Sequence, residues 1–418
     1  MPAASFTVTE HRSPCTLVRQ FPHGTKSDNS ELYLAVKEYR PKAIEPRDNS
    51  VTIIAAHANG FPKECYEPLW EDLWSGPDAR NIRAVWIADV AHQGASYALN
   101  SEELGDDPNW LDHSRDLFLL VNQFRHRMSP PFVGLGHSMG ALQIINLALM
   151  HPRLLHSLII MEPVIQDFPP PGPNAAMFSS SRRETWDSRA HAEKQISRNA
   201  FFQAMDSRVL QNYLKYGLRD SDEGKVILAT PKAQEAWSYI RPNFAPLPED
   251  PSNRTSRLKE RMMNPEYIPS SGHANAMWTR PEGVLTMQSL PTLRPRTIFI
   301  YGEYSHINFD EVRNLHVKFT GTGIGGNGGV EDGGVEEQEL EDAGHLCCFE
   351  KPAVVAVTIH DFLRRELLRW EHEQSFWETF VTGKSKNNRK ELSDNWISGV
   401  KEDADTQRLA HTKAGPKL

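Results

Sequence analysis

The chain has 418 residues, 39% of them hydrophobic, which suffices for one large domain with insertions or for two smaller domains. Its 46 basic and 54 acidic residues give a formal charge of −8, which argues against a dedicated nucleic-acid-binding protein, since such proteins carry a basic face. Four cysteines without metal-ligand spacing exclude a disulfide scaffold, and no apolar run reaches the ~18 to 20 residues that span a bilayer.

Short apolar runs alternate with longer segments of helical spacing along most of the chain. The strand-like runs cover residues 32–39, 51–56, 84–88, 132–135, 158–161, 297–301 and 335–340. The helix-like segments cover residues 114–124, 141–151, 310–319 and 353–367. This alternation predicts an α/β fold with a mostly parallel central sheet and helices on both faces.

The alternation stops after residue 164 and resumes near residue 296. The segment between contains no comparable strand; it opens with prolines at positions 169–171 and 173 and continues with helix-like pieces rich in Arg, Trp and Tyr. We therefore expect a helical cap at residues 165–295, laid over a core formed by residues 1–164 and 296–368. Residues 369–418 are expected to add a C-terminal helix and, from residue 382, a flexible polar tail.

A glycine-rich stretch follows the helix-like segment that ends at residue 319. Gly321, Gly323 and Gly326 match the spacing of a dinucleotide-binding fingerprint. A true fingerprint follows the first strand of a βαβ unit and opens a helix, whereas further glycines follow here. We interpret the stretch as a flexible loop, and we expect neither a cofactor nor a metal.

The pattern Gly136-His137-Ser138-Met139-Gly140 fits G-x-S-x-G and stands between a predicted strand and a predicted helix. The motif requires this context, because its nucleophile lies in a sharp turn with room only for small flanking residues. The helix that follows also directs its positive end at the site. Ser138 is therefore the predicted nucleophile.

A serine hydroxyl needs a base, and in this architecture the histidine follows the last strand. His345 has that position. The acid is less obvious, because the turn after the sixth predicted strand contains no Asp at the usual place. Glu162, at the end of the fifth predicted strand, is the favoured acid, and Glu303 and Asp310 remain alternatives.

An oxyanion hole needs two backbone N–H donors near the nucleophile. Met139 provides the first as the residue after Ser138, and Phe61 is expected to provide the second, with Asn59 a less favoured alternative. The early loop allows this because Gly60 permits a tight turn. A serine nucleophile implies an acyl-enzyme, which disfavours epoxide hydrolases and haloalkane dehalogenases, since these attack with a carboxylate.

The chain also carries a distinctive set of motifs: His57-Ala-Asn-Gly-Phe-Pro, Asp89 with His92-Gln-Gly, Trp110, Gly136-His-Ser-Met-Gly, Met161-Glu-Pro, Trp186 and Ala343-Gly-His. Together they resemble the fungal peroxisomal α/β-hydrolases, which include the mycophenolic acid acyl-CoA hydrolase and the AK-toxin biosynthesis hydrolase. The resemblance covers roughly residues 30–365 and implies the α/β-hydrolase fold with a helical cap. The mycophenolic acid enzyme carries Asp where Glu162 stands.

The resemblance implies hydrolysis of an ester or thioester, with an acyl-CoA as the leading substrate, in peroxisomal lipid or secondary-metabolite (toxin) biosynthesis. The last residues, Pro416-Lys417-Leu418, are similar to the Ser-Lys-Leu address that a peroxisomal import receptor reads. The N-terminal residues contain no continuous apolar segment of signal-peptide type. We expect a peroxisomal location, with the cytoplasm as the alternative.

Substrate contacts are expected from the early loop, the nucleophile turn and the cap. The expected residues are His57, Asn59, His137, Trp186, Arg182 and Arg183. The two arginines belong to a basic neighbourhood that could meet CoA phosphates, although a solvated helix face is the more common explanation for such a neighbourhood. Four aromatic residues near the C-terminus fit a homodimer contact or a docked terminal helix: Trp370, Phe376, Trp377 and Phe380.

Two other classes of function remain open. The same three residues would serve a lipase, a carboxylesterase, a carbon–carbon bond hydrolase or an acyltransferase, and product analysis with an alcohol acceptor separates transfer from hydrolysis. A non-catalytic ligand-binding protein of the same fold would have a broken triad.

Overall fold

The computed structural model describes residues 5–166, 174–241, 253–255, 258, 262, 280–385 and 387–412. The chain divides into two compact units, Met1–Leu367 and Leu368–Leu418. The prolines at positions 169–171 and 173 and the terminal Pro416-Lys417-Leu418 lie outside the described residues.

The described residues form eleven strands and fourteen α-helices. The strands are β1 (Phe6–Pro14), β2 (Tyr33–Pro41), β3 (Val51–Ala56), β4 (Ile82–Ala88), β5 (Phe132–His137), β6 (Ser157–Met161), β7 (Thr185–Trp186), β8 (Leu218–Asp220), β9 (Val226–Leu228), β10 (Arg296–Gly302) and β11 (Val335–Leu340). The helices are α1 (Glu67–Ser75), α2 (Gly94–Asn100), α3 (Trp110–Gln123), α4 (Met139–Met150), α5 (Ala175–Ser181), α6 (Arg189–Ser197), α7 (Ala200–Gln203), α8 (Ser207–Tyr216), α9 (Lys232–Tyr239), α10 (Pro281–Ser289), α11 (Asp310–Phe319), α12 (Cys347–Glu350), α13 (Pro352–Thr382) and α14 (Asp394–Thr412). Within the described part of the chain, no helix combines the length and apolar character needed to cross a bilayer.

Eight strands form the central sheet in the order β1-β2-β4-β3-β5-β6-β10-β11. From β4 to β11 in this order the strands pair in parallel, and β1 and β2 add an antiparallel edge. The predicted α/β fold is confirmed, and each predicted strand is present with ends that differ by at most two residues. The sequence does not predict β1, because most of its side chains are exposed at the sheet edge and its apolar alternation is weak.

Side chains of the central strands alternate between two apolar cores, one on each face of the sheet. Ile53 and Val85 point into the core that packs against α1, and Ile54 and Trp86 point into the core that packs against α4. Since β5, β6 and β11 are parallel members of this sheet, the residues that follow them meet at one edge. This edge holds the predicted site.

The cap contains α5 to α9 and a small antiparallel sheet of β7, β9 and β8. The expectation that this segment is purely helical therefore needs correction. Its strands have only two or three residues, which is too short for a period-two pattern to be recognised. Trp186 and Tyr213 of the cap are buried in the same apolar core as Ile53 of the sheet, so the cap is packed onto the core.

The second unit contains α14 where the sequence predicted only a flexible tail, so this expectation is wrong. Trp396, Ile397 and Val400 recur at helical spacing, and Asp394 lies in the first turn, where a negative charge favours the helix. The polar, lysine-rich residues 382–390 concealed this pattern.

The distal part of α13 also lies in the second unit. Its Phe376, Trp377 and Phe380 rings contact one another and are each about half exposed. The homodimer contact through these rings and Trp370 stays a prediction.

Candidate active site

Ser138 lies in the turn between β5 and α4 with φ 57° and ψ −118°, a backbone conformation that is rare for a residue with a side chain. Its neighbours must be glycine: a Cβ on Gly140 would lie 2.2 Å from the carbonyl oxygen of Ala56, and one on Gly136 would lie 2.5 Å from Ala141 Cα. The Ser138 amide donates to the Met161 carbonyl at 3.0 Å. The sequence thus forces a strained turn that holds the serine hydroxyl at the sheet edge.

His345 lies in the loop between β11 and α12. Its Nε2 is 2.9 Å from Ser138 Oγ and its Nδ1 is 2.9 Å from Glu162 Oε2. Two residues 207 positions apart in the chain are therefore within hydrogen-bonding distance, as the motif positions predict. The carboxylate can accept only from Nδ1–H, so Nε2 of the neutral ring is free to accept the serine proton.

Glu162 follows β6 with φ 50° and is fully buried. Besides His345, its carboxylate accepts hydrogen bonds from the Gly302 amide at 2.7 Å, Ser305 Oγ at 2.6 Å and Asn308 Nδ2 at 2.9 Å. Burial acts to raise the pKa of Glu162, but the bonds from His345, Ser305 and Asn308 outweigh it and hold this pKa below its usual value. The carboxylate is charged at neutral pH.

The two alternative acids lie elsewhere. Glu303 is exposed and its carboxylate accepts from the amide of Asp342 at 2.9 Å. Asp310 is exposed in the first turn of α11. The structure therefore brings Glu162, rather than either alternative, to His345.

The predicted oxyanion donors are the backbone amides of Met139 and Phe61. Met139 is the first residue of α4, so its N–H has no partner within the helix and lies at the positive end of the helix dipole. The Phe61 N–H is 3.3 Å from the Ala58 carbonyl, which is long for an N–H···O bond. Gly60 has φ +80°, which shapes this loop, and its amide donates to Gln93 Oε1 at 2.8 Å.

The two other predicted residues of the early loop have their polar atoms engaged inside the protein. His57 is fully buried; Nδ1 is 2.8 Å from the Ala58 carbonyl, and Nε2 accepts the Val90 amide at 2.9 Å. Asn59 donates to the Glu235 carbonyl of the cap at 3.1 Å and accepts from Gln93 Nε2 at 2.5 Å. Both placements count against a polar contact with substrate and in favour of a role in shaping the loop.

The predicted cap residues also have partners within the protein. Trp186 is buried and donates through Nε1 to Gln195 at 2.9 Å. Arg182 forms a close ion pair with Glu235, and Arg183 is exposed and donates to the Thr185 carbonyl at 2.8 Å. Arg182 is therefore committed to a contact inside the cap, which counts against the predicted contact with CoA phosphates.

The sequence did not identify the residues that surround Glu162 and His137. The spacing Ser305-x-x-Asn308, directly after the strand where an acid was sought, is the signal for the hydrogen-bond donors to Glu162. His137, an expected substrate contact, is instead fully buried beneath the site with both ring nitrogens near protein atoms. Within the described ranges, no three His, Cys, Asp or Glu side chains are grouped to hold a metal ion.

The sequence of the chain is similar to those of known proteins. Residues 53–358 match the alpha/beta hydrolase family. The chain is 36% identical over 432 residues to the type I acyl-CoA thioesterase mpaH of Penicillium brevicompactum, with 96% of each protein covered. It is 26% identical over 250 residues to the abhydrolase domain-containing protein AKT2 of Alternaria alternata, with 57% of this chain and 85% of that protein covered.

A solved structure gives the same fold. The peroxisomal alpha-beta-hydrolase Lpx1 of Saccharomyces cerevisiae matches with a TM-score of 0.66 at 19% identity, covering 99% of this chain and 100% of that one. These similarities confirm the family resemblance carried by the motifs. The chain belongs to the α/β-hydrolase family.

Proposed function

We propose that this protein is a serine hydrolase that cleaves a thioester or ester through an acyl-enzyme on Ser138, with an acyl-CoA as the leading substrate. At the coarser level, the chain is a hydrolase of ester or thioester bonds, as its family and its 36% identity to an acyl-CoA thioesterase indicate. The single observation that supports the serine mechanism best is the chain of two 2.9 Å contacts from Ser138 Oγ through His345 to Glu162.

In the first half of the proposed reaction, His345 Nε2 accepts the hydroxyl proton while Ser138 Oγ attacks the acyl carbon. The tetrahedral intermediate then expels the thiol or alcohol, which takes the proton from His345. In the second half a water molecule, deprotonated by His345, attacks the acyl-enzyme, and Ser138 regains its proton. Glu162 holds the imidazole in the required tautomer and stabilises the imidazolium.

The proposed oxyanion hole consists of the N–H groups of Met139 and Phe61. The Met139 donor is supported by the free N-terminus of α4, whose dipole favours negative charge. The Phe61 donor is supported by its long 3.3 Å contact, which a stronger bond to an oxyanion would replace.

We further propose a peroxisomal location, reached through an import receptor that binds Pro416-Lys417-Leu418, and a role in lipid or secondary-metabolite (toxin) biosynthesis. The tail sequence, the similarity to the peroxisomal hydrolase Lpx1 of yeast and the similarity to a fungal thioesterase support this. Removal of the last three residues from a tagged full-length protein should leave it in the cytoplasm. A peroxisomal signal that persists would contradict the tail as the address.

The activity is tested by incubating the purified protein with a panel of acyl-CoA thioesters, simple esters and glycerides and identifying products by mass. Thioester cleavage should lead, and Ser138→Ala should abolish turnover and labelling by a fluorophosphonate. Undiminished labelling of Ser138→Ala would place the nucleophile elsewhere. An ester formed from an added alcohol would identify an acyltransferase, and faster cleavage of glycerides would identify a lipase.

A further inference from the structure

A buried chain of hydrogen bonds runs beneath the candidate active site. The Ala58 amide is 2.8 Å from the hydroxyl of Tyr66, and that hydroxyl is 2.8 Å from His137 Nδ1. On the other side of the ring, His137 Nε2 is 2.9 Å from the main-chain oxygen of His345. Tyr66 and His137 are both fully buried. The chain therefore connects the loop after β3 to the loop that carries His345.

The direction of each hydrogen bond follows from its partners. A carbonyl oxygen only accepts, so His137 Nε2 carries the proton and donates to His345 O. His137 Nδ1 must then accept, and the Tyr66 hydroxyl donates to it while accepting from the Ala58 N–H. Burial, followed by repulsion from His345, lowers the pKa of His137 to about 3, so the ring stays neutral. Cys348 Sγ, 3.4 Å from Nδ1, is a second weak donor to this nitrogen.

This arrangement links three parts of the proposed machinery, namely the nucleophile turn, the loop of His345 and the loop of Phe61. His137 directly precedes Ser138 on β5. The Nε2–H group of His137 donates to the backbone of His345, and its Nδ1 accepts from the Tyr66 hydroxyl. That hydroxyl accepts in turn from the Ala58 amide, and the Ala58 carbonyl faces the Phe61 amide. Displacement by a fraction of an ångström at any of these points changes the distance from imidazole to serine, on which proton transfer depends.

We propose that His137, held as its Nε2–H tautomer by the His345 carbonyl and the Tyr66 hydroxyl, is a positioning residue that sets the location of His345 and ties it to the proposed oxyanion loop. The proposal rests on the proposed function in one respect, namely that His345 is the base. It assigns His137 a role other than the substrate contact that its place in the nucleophile motif predicts.

Three substitutions of His137 separate positioning from packing. His137→Gln places an amide N–H where Nε2 stood, whereas His137→Asn reaches only the position of Nδ1 and His137→Phe has no donor. We expect kcat to stay within about threefold in His137→Gln and to fall about tenfold in the other two, with KM nearly unchanged, since a factor of ten corresponds to about 1.4 kcal/mol, the size of one hydrogen bond. Tyr66→Phe should lower kcat by a similar factor.

Matched controls are available away from the site. His360 is also buried and lies 2.9 Å through Nε2 from a backbone carbonyl, that of Leu73, and Tyr39 is a buried tyrosine bonded to Glu67. His360→Gln and Tyr39→Phe should leave kcat unchanged. Thermal unfolding of every variant identifies any loss of fold. If His137→Gln and His137→Asn lose kcat equally, or if both lose it only in proportion to folded protein, the positioning role is rejected.

A second readout does not depend on turnover. In protein labelled with ¹⁵N-histidine, the ring signals of His137 should report the Nε2–H tautomer, and the ring signals of His345 should move in His137→Asn but not in His137→Gln. If the wild type cleaves nothing, the proposed function fails, yet these signals still decide the link between the two histidines. Unmoved His345 signals in His137→Asn would overturn it.

Discussion

The Glu162 carboxylate is fully enclosed by protein and remains charged because four donors hydrogen-bond to its two oxygens. Burial alone would raise its pKa and neutralise it, which would deprive His345 of its partner. The bonds from His345, Ser305 and Asn308 reverse that effect. Glutamate has one methylene more than aspartate, and the positive φ of 50° sets the backbone from which it reaches the imidazole at 2.9 Å.

We predict that Glu162→Gln lowers kcat by a factor on the order of 10³ to 10⁴, since an amide cannot stabilise the imidazolium or fix the tautomer. Glu303→Gln changes an exposed carboxylate that accepts from the Asp342 amide, and it should change kcat by less than about threefold. Steady-state kinetics on both variants measures the contrast. A larger loss in Glu303→Gln would reject Glu162 as the acid.

Sequence reasoning located Ser138, His345 and Glu162 because each is tied to the end of a strand, and strand order in the chain is readable from apolar runs. It could not tell whether a polar side chain near the site faces substrate or protein. His57 and Asn59 share the motif of Phe61, yet their side chains bind backbone and cap atoms. That choice depends on contacts with residues distant in sequence, which spacing does not encode.

At the scale of elements, the cap contacts the loop of Gly60 and Phe61 directly. The Glu235 carboxylate of α9 lies against Gly60, where an added Cβ would be 2.7 Å from it, and it accepts from Ser179 Oγ of the cap at 2.7 Å. Arg182 supplies the opposite charge. Burial raises the pKa of Glu235 above its usual value, and the charge of Arg182 and the bond from Ser179 offset only part of this effect.

We predict that Arg182→Met destabilises the cap contact and raises KM or lowers kcat by the same factor for an acyl-CoA and for a thioester without phosphates. Removal of one partner of a buried ion pair costs about 3 kcal/mol or more, although water at this half-buried arginine reduces that figure. Arg183→Met, an exposed neighbour, is the matched control and should have little effect. A loss confined to the acyl-CoA would instead support the original expectation that Arg182 binds phosphates.

Some helices and strands could be predicted from the sequence and others could not. Long buried strands such as β3 have continuous apolar runs, but β7, β8 and β9 are too short to show a period. α14 was missed because its apolar residues stand within a polar, lysine-rich segment. Composition over a wide window conceals an amphipathic helix that a narrower window would reveal.

At the scale of the whole molecule, several neutral histidines are enclosed in the fold. Burial lowers the pKa of His113 and His137 to about 3 and that of His316 to about 4, against about 6.5 in an unfolded chain. Between these values the unfolded chain binds more protons than the folded one. The free energy of unfolding must therefore fall as pH decreases from about 6.5 towards 4, by roughly 1.4 kcal/mol per pH unit for each such histidine.

His113 provides the sharpest test of this dependence. Both of its ring nitrogens are buried without a hydrogen-bond partner among the described residues, so His113→Phe removes a proton-binding site and loses no hydrogen bond. We predict that urea unfolding at pH 7 gives His113→Phe a free energy of unfolding equal to or above that of the wild type. Between pH 6.5 and pH 5, the variant should lose less of this free energy than the wild type, by about the contribution of one bound proton.

His316→Phe separates the loss of a proton-binding site from the loss of hydrogen bonds. Its ring lies 3.0 Å from the Tyr301 hydroxyl and 2.5 Å from the Ile165 carbonyl, so this substitution should reduce the pH dependence similarly but cost about 2 kcal/mol or more at pH 7. If His113→Phe keeps the full wild-type pH dependence, then His113 is protonated in the folded protein. In that case, the buried imidazole must have a partner that stabilises its charge, and the linkage argument fails for this residue.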